Sequence, residues 1–110
     1  MTFFLFTAAF LLGCSKNNEK IKPSCDGSKL TYNSGISTII NSNCNNSGCH
    51  NSGSSNGDYT SYSGLSGVLN NGNFNSRVLN KQDMPKGSAI LSQKQLNQLK
   101  CWINNSFPKN

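Results

Sequence analysis

The chain has 110 residues and a net charge of +6, with ten Lys and Arg residues against four Asp and Glu residues. Hydrophobic residues make up 35% of it, below the roughly 45–50% that is usual in a globular domain, and Asn and Ser together fill 35 positions. This composition excludes a large apolar core, a multidomain enzyme and a polytopic membrane protein. Five cysteines and one histidine indicate instead a small domain held together by covalent bonds and a bound group.

The N-terminal end has the pattern of a signal segment. Residues 2–12 form an apolar run of about eleven residues, the length of a signal-peptide core and too short to cross a bilayer. The run ends in Leu-Leu-Gly-Cys, which resembles a bacterial lipobox, and that resemblance implies that Cys14 is lipidated. We therefore predict a signal peptide over 1–13 and an exported lipoprotein anchored to a membrane. The alternative is an ordinary cleaved signal in which Cys14 has no role.

The residues after Cys14 are polar and charged, with Ile21 as an apolar exception. This composition predicts a tether over 14–24 between the lipid and the folded part. The folded domain is then expected over 25–110. A domain of that length is near the lower limit of size at which one apolar core can stabilise the fold without a disulfide or a bound group.

The first predicted helix has an apolar stripe at positions i, i+3 and i+4, formed by Ile36, Ile39 and Ile40. Asn33 or Ser34 is expected to cap this helix, which leads directly to Cys44. The run that follows, over 47–57, is rich in Gly, Ser and Asn and is expected to be irregular.

A second helix is expected after Asp58, which would act as its cap. Gly64 and Gly67 weaken this helix. One more short turn is expected around 74–79, followed by a loop at Met-Pro-Lys-Gly over 84–87, because Pro and Gly both break a helix. The expected apolar face of the second helix consists of Tyr59, Tyr62, Leu65 and Leu69, and that of the short turn consists of Phe74, Val78 and Leu79.

The last helix has the clearest pattern. Ser92 and Gln95 form a capping-box motif, and Pro108 is expected to close the helix. No stretch alternates at period two for long enough to form a strand, so we predict an all-α fold of three to four short helices with long loops. The apolar face of the last helix consists of Leu96, Leu99, Trp102 and Ile103.

The run Cys44-Asn-Asn-Ser-Gly-Cys49-His50 places the chain's one histidine directly after a cysteine. Two thiols on one short loop can add to the two vinyl groups of a haem, and the imidazole that follows can then ligate the iron. The usual spacing for this chemistry is C-x-x-C-H, and this run has two further residues between the cysteines. The flexible Asn-Ser-Gly segment could accommodate them as a bulge.

With these motifs the chain resembles the class I cytochrome c fold, and more narrowly the small cytochrome c-like lipoproteins of bacteria. The resemblance covers an Ile-rich helix before the Cys/His run, an Asp-Tyr-x-x-Tyr segment, a Met-Pro loop and a final helix with Cys-Trp-Ile. It implies one covalent haem c, attached through Cys44 and Cys49. It also implies His50 and Met84 as the axial ligands of the iron.

Other assignments remain open for these residues. Cys44 and Cys49 could instead form a disulfide with His50 at the surface, or they could belong to a zinc site, although the paired C-x-x-C spacing of zinc sites is missing. A thiol redox motif would also require C-x-x-C. The alternative for Met84 is a side chain that fills the core.

With Cys14 assigned to lipid and Cys44 and Cys49 to haem, Cys25 and Cys101 remain. These two cysteines flank the folded part, and a disulfide between them would close a long loop, which is worth on the order of 4 kcal/mol in the chain-entropy model. The alternative is that the four cysteines after Cys14 form any of three pairings.

The pattern is less specific for several further residues. Arg77 could pair with a haem propionate or be a solvated surface residue. Trp102 and Tyr62 are expected in the core, and Asp58 is interpreted as a cap and not as an acid catalyst. No paired carboxylates, Ser/His/Asp set or phosphate loop is present in the sequence, so hydrolysis and phosphoryl transfer have no candidate residues. An enzyme is not expected, because the ligands His50 and Met84 that the resemblance implies leave no site for a substrate.

The sequence thus predicts a single-electron carrier at a membrane surface. The cations are scattered, with no run of three, so nucleic-acid binding is not expected, and the charge could steer an acidic redox partner protein. Two alternatives are kept. One is a haem-free, disulfide-stapled surface lipoprotein with a binding or structural role, and the other keeps haem but leaves the Met84 position open for sensing or peroxidase chemistry.

Overall fold

The computed structural model describes residues 20–86 and 90–110. The signal segment 1–13 and Cys14 lie outside these residues, so cleavage and lipidation stay predictions. Within the described ranges the chain forms helices and no strand, which confirms the all-α prediction. The elements in chain order are a first wide (π-helical) turn Tyr32–Ile36, α1 (Ser37–Asn43), α2 (Tyr62–Asn70), a second wide turn Asn75–Asn80 and α3 (Gln93–Asn104).

The first wide turn precedes α1 and contains a kink at Ser34 and Gly35, whose backbone angles are not helical (φ −107° and +147°). Thr31 caps it: its hydroxyl accepts a hydrogen bond from the Ser34 N–H (3.2 Å), and the Ser34 hydroxyl accepts one from the Thr31 N–H (2.9 Å). The prediction of Asn33 or Ser34 as the cap was therefore wrong, because the wide turn adds residues before the apolar stripe. As predicted, α1 ends directly before Cys44. The stripe of Ile36, Ile39 and Ile40 is buried.

Helix α2 is capped by Ser61, whose hydroxyl accepts a hydrogen bond from the Gly64 N–H (3.0 Å). The prediction that Asp58 caps this helix was wrong. The Asp58 carboxylate accepts hydrogen bonds from the N–H groups of Thr60 (2.9 Å) and Gly53 (3.1 Å), so it stabilises the preceding loop instead. Leu65 and Leu69 are buried, as are Phe74, Val78 and Leu79 at the second wide turn.

Helix α3 begins with the predicted capping box, in which the Ser92 hydroxyl accepts from the Gln95 N–H at 3.1 Å and the Gln95 side chain accepts from the Ser92 N–H at 3.0 Å. The helix ends at Asn104, so the prediction that Pro108 closes it was wrong. The chain instead turns back, and the Pro108 carbonyl accepts hydrogen bonds from the Tyr32 N–H (2.9 Å) and the Trp102 indole N–H (3.0 Å).

Trp102 lies at the centre of the core and is fully buried. The rings of Phe74 and Phe107 meet it edge-on, with centroid distances of 6.3 and 6.1 Å. Cys101, the neighbour of Trp102, is also fully buried and forms a disulfide with Cys25, which confirms the predicted pairing. The apolar core and the disulfide thus meet at the same place on α3.

The described part of the N-terminal segment lies on the fold. The N–H of Ile21 donates to the side chain of Gln82 at 3.1 Å, and the N–H of Ser24 donates to Asn97 on α3 at 2.9 Å. Ile21 also packs against the core. The last residues of the predicted tether are therefore bound to the domain. None of the described helices is long and apolar enough to cross a membrane.

Candidate functional site

A cleft of about 540 Å³ opens between the loop after α1, the end of α2, the second wide turn and the Met84 loop. This volume is within the range of sites that bind small molecules and cofactors. Its lining includes all five side chains that the sequence singled out for haem binding: Cys44, Cys49, His50, Arg77 and Met84. Residues more than thirty positions apart in the sequence are thus brought to one concave surface.

The two additional residues between the cysteines are accommodated by a tight turn. The Cys49 N–H donates to the Asn46 carbonyl at 2.9 Å, and Gly48 supplies the left-handed backbone (φ +80°) that this turn requires. The His50 N–H then donates to the Cys44 carbonyl at 3.0 Å, which closes the loop at its base. The longer spacing therefore keeps both cysteines and the histidine on the same cleft.

The His50 imidazole is oriented by two contacts. Its Nδ1 lies 3.0 Å from the carbonyl oxygen of Gly57, and its ring stacks on that of Tyr59 with centroids 3.9 Å apart. A carbonyl oxygen can only accept, so Nδ1 is the donor in this contact, and in the neutral ring Nε2 then carries the lone pair that can bind a metal ion. A hydrogen bond from one ring nitrogen to a backbone carbonyl is the usual second contact of metal-binding histidines.

Cys44 and Cys49 are free thiols and both are half-buried. Burial raises the pKa of the Cys44 thiol to about 11, with a further contribution from the neighbouring Cys49. The sequence left open a disulfide between Cys44 and Cys49, and this disulfide is not formed in the structure. Within 20–86 and 90–110, no three side chains of His, Cys, Asp and Glu come together as a metal-ion site would require.

Met84 is half-buried and packs against the edge of the apolar core. The loop that carries it is fixed to the second wide turn, because the N–H groups of Asp83 (3.1 Å) and Met84 (3.4 Å) both donate to the Arg77 carbonyl. The Arg77 Nε also donates to the Asp83 carboxylate at 2.7 Å, and this hydrogen bond lowers the pKa of Asp83. Arg77 thus holds the methionine loop through both its backbone and its side chain.

Arg77 also lines the cleft, where Lys86 adds a second cation. The bond to Asp83 occupies only Nε, so the remaining guanidinium N–H groups are available to an acidic ligand. Pairing of Arg77 with a propionate stays a prediction.

Three site residues were not identified from the sequence: Lys86, Tyr59 as the stacking partner of His50, and Gly57 as its hydrogen-bond acceptor. Lys86 directly follows the Met-Pro pair, so its position next to a predicted ligand could have suggested it. Tyr59 was expected on a helix face, although it precedes α2. A backbone acceptor such as Gly57 carries no side-chain signal, although a glycine in this loop indicates unusual backbone angles.

The residues present fit a haem c. The cleft supplies two free thiols, an imidazole with an available Nε2, a thioether sulfur and cations for acidic groups, and its walls include Val68, Phe74 and Val78. No family model, curated protein or solved structure matches this chain. The case for a function therefore depends on the chemistry of this cleft.

Proposed function

We propose that the protein is a small c-type cytochrome with a cytochrome c-like fold, which carries single electrons. The observation that carries the proposal is that Cys44, Cys49, His50 and Met84 line one cleft of about 540 Å³. His50 is the one histidine of the sequence, and Met84 is the one methionine besides Met1. A thiol pair, an imidazole and a thioether around one cleft form the donor set of a haem c site.

The two thiols would hold the group covalently. Each Sγ–H would add across one vinyl C=C bond, with the new S–C bond at the inner carbon and the thiol hydrogen on the outer carbon, so attachment would need no oxidant. The turn at Asn46–Cys49 lets both sulfurs stay on the cleft despite the longer spacing. Covalent attachment compensates for the small apolar core of this chain.

His50 and Met84 would supply the two axial ligands. The Gly57 carbonyl holds the proton on Nδ1 of His50 and leaves Nε2 available. When bound, the haem iron supplies a one-electron ferric/ferrous couple, and a thioether ligand raises its potential because soft sulfur favours the ferrous form. If His50 and Met84 both ligated the iron, no position would be left for a substrate, which favours an electron carrier over a peroxidase.

The surroundings of the site are consistent with a protein partner. The chain has a net charge of +6, and Arg77 and Lys86 lie on the cleft. Cations at the site would attract an acidic redox partner. Cys14 would attach this carrier to a membrane surface through lipid.

A haem-free, disulfide-stapled surface lipoprotein is the second candidate. Two observations favour it: the Cys25–Cys101 disulfide fixes the fold, and Cys44 and Cys49 are thiols that could remain unused. This candidate leaves unexplained why the cleft collects the imidazole and the thioether beside both thiols.

Expression of the full chain in a host equipped for haem ligation tests the proposal. Trypsin releases residues 30–77 as one peptide, which contains Cys44 to His50. We expect this peptide to carry the added mass of one haem. Cys44→Ala and Cys49→Ala are each expected to retain haem through one thioether, and the double variant is expected to lose the haem stain on a denaturing gel.

A peptide 30–77 without added mass in that host would contradict the proposal and favour the haem-free candidate. Binding of carbon monoxide to the reduced protein tests the sixth ligand. Slow or absent binding is expected if Met84 ligates the iron, and rapid binding would favour the variant with an open position.

A further inference from the structure

The side chain of Gln82 joins the N-terminal segment to the methionine loop. Its Oε1 accepts a hydrogen bond from the Ile21 N–H at 3.1 Å, and its Nε2 donates to the Ile21 carbonyl. Nε2 also donates to the Leu79 carbonyl at 3.2 Å, at the end of the second wide turn. One amide therefore pairs with both backbone groups of a residue 61 positions away and with the turn before it. We call these three hydrogen bonds the Gln82 clasp.

Gln82 also has an unusual backbone conformation. Its φ is +54°, in the left-handed region that side-chain-bearing residues other than Asn and Asp seldom adopt. Such a conformation is strained in a residue other than glycine and persists where the surroundings enforce it. The clasp can hold Gln82 in this conformation, because both the oxygen and the nitrogen of its side-chain amide are hydrogen-bonded while the backbone reverses direction.

This reversal directs the chain from the second wide turn towards the cleft. Asp83 and Met84 follow immediately, and their N–H groups donate to the Arg77 carbonyl. If Gln82 adopted a negative φ, the chain after it would take another direction. The N–H groups of Asp83 and Met84 would then lose their hydrogen bonds to the Arg77 carbonyl. The position of the Met84 sulfur thus depends on the conformation of Gln82.

We infer that Gln82 is a positioning residue for Met84, and that the segment at Ile21 acts through the clasp to keep the thioether sulfur at the cleft. The inference deepens the proposed function and rests on it, since it assumes that Met84 ligates a haem iron. Gln82 itself does not line the cleft. Its effect is therefore on the sulfur ligand and not on covalent attachment of the haem.

The test compares the holoprotein with two variants at this position. Gln82→Ala removes the clasp and leaves a residue that resists φ +54°, and Gln82→Gly removes the clasp but accepts that φ without strain. For Gln82→Ala we expect an unchanged haem stain, a weaker sulfur-to-iron charge-transfer band in the ferric protein and a lower midpoint potential. Carbon monoxide should bind the reduced variant at least about tenfold faster, the low end of the effect expected from losing the three hydrogen bonds of the clasp.

Gln93→Ala is the matched control. The Gln93 side chain donates to the Lys22 carbonyl at 3.1 Å, so it also binds the N-terminal segment, but from α3. In this variant we expect the sulfur-to-iron charge-transfer band, the midpoint potential and the rate of carbon monoxide binding to equal those of the wild-type protein. We expect Gln82→Gly to behave like Gln82→Ala, because backbone freedom does not replace the clasp. Far-ultraviolet circular dichroism of each variant verifies that the fold is retained.

Three outcomes would overturn the inference: a wild-type band and potential in Gln82→Ala, full retention of both in Gln82→Gly, or equal loss in Gln93→Ala. Failure of the proposed function is visible separately, in the wild-type protein. Absence of covalent haem, or haem without the sulfur charge-transfer band, would appear there before any variant is compared.

Discussion

The orientation of His50 depends on a backbone atom two residues before its stacking partner. The Gly57 carbonyl accepts from Nδ1 of His50, and Gly57 itself has φ +107°. A Cβ at this position would lie 2.9 Å from Cε1 of Tyr59. The glycine therefore allows the carbonyl and the Tyr59 ring to hold the same imidazole from two sides.

Gly57→Ala is predicted to destabilise the protein by about 1–3 kcal/mol, because it combines a strained φ with displacement of the Tyr59 ring. Gly53→Ala is the matched control: Gly53 has φ +74° in the same loop, but a Cβ there meets nothing within 4 Å. Thermal unfolding of both variants measures the difference, and NMR of the imidazole nitrogens reports whether Nδ1 keeps its proton. Equal stability of the two variants would show that the Tyr59 contact contributes nothing.

At the scale of elements, the start of α2 is fitted closely to the loop before it. A Cβ on Gly64 would lie well inside van der Waals distance of the Asp58 carbonyl, a backbone atom that cannot move without its loop. Tyr59 follows Asp58 and stacks on His50. The packing of α2 therefore helps to fix the loop that orients the imidazole.

Two glycines on α2 are predicted to respond in opposite directions to the same substitution. Gly64→Ala should destabilise the protein by about 1–3 kcal/mol through overpacking against Asp58. A Cβ on Gly67 would meet nothing within 4 Å, and its φ is not positive, so Gly67→Ala should stabilise the helix by about 0.5–1 kcal/mol. Urea denaturation of both variants provides the comparison. Stabilisation by both substitutions would mean that the loop can move away from α2.

The sequence predicted the helices that have an apolar period and missed the positions where loops decide the geometry. The stripe of α1 and the capping box of α3 are local patterns, and both are present. The predicted starts of α1 and α2 were wrong, because a kinked wide turn precedes α1 and the Asp58 carboxylate binds loop N–H groups instead of capping α2. Neither effect follows from the apolar period by which the helices were placed, because both are set by side-chain hydrogen bonds to nearby backbone groups.

In the cleft, too, the sequence identified some of the residues and missed others. Cys44, Cys49 and His50 were found from their types and spacing, and Met84 and Arg77 from the resemblance to cytochrome c. All five residues line the cleft. Gly57 and Gln82 act through a backbone carbonyl and through a contact 61 residues away, so no local pattern could indicate them.

For the whole molecule, the disulfide is expected to be a main source of stability. Cys25 and Cys101 are 76 residues apart, and the bond lies against the buried Trp102 end of the core. Closing a loop of this length restricts the unfolded chain and so stabilises the folded state. This contribution is a larger share of the total stability where the apolar core is small.

Replacement of both cysteines, as Cys25→Ser with Cys101→Ala, is predicted to lower the free energy of unfolding by about 4 kcal/mol. Alanine at 101 keeps the buried position apolar. Urea denaturation compares this variant with the parent protein, and Lys29→Ala at an exposed position serves as the control. An unchanged unfolding midpoint would show that the core alone stabilises the fold.

The double role of the Pro108 carbonyl has a consequence for biosynthesis. The N–H of Tyr32 and the indole of Trp102 both donate to it, and the N–H of Asn33 donates to the Lys109 carbonyl. A nascent polypeptide lacks these acceptors until residue 109 has left the ribosomal tunnel. These hydrogen bonds are therefore among the last that the domain can form, well after the segment from Cys44 to His50 has been translated.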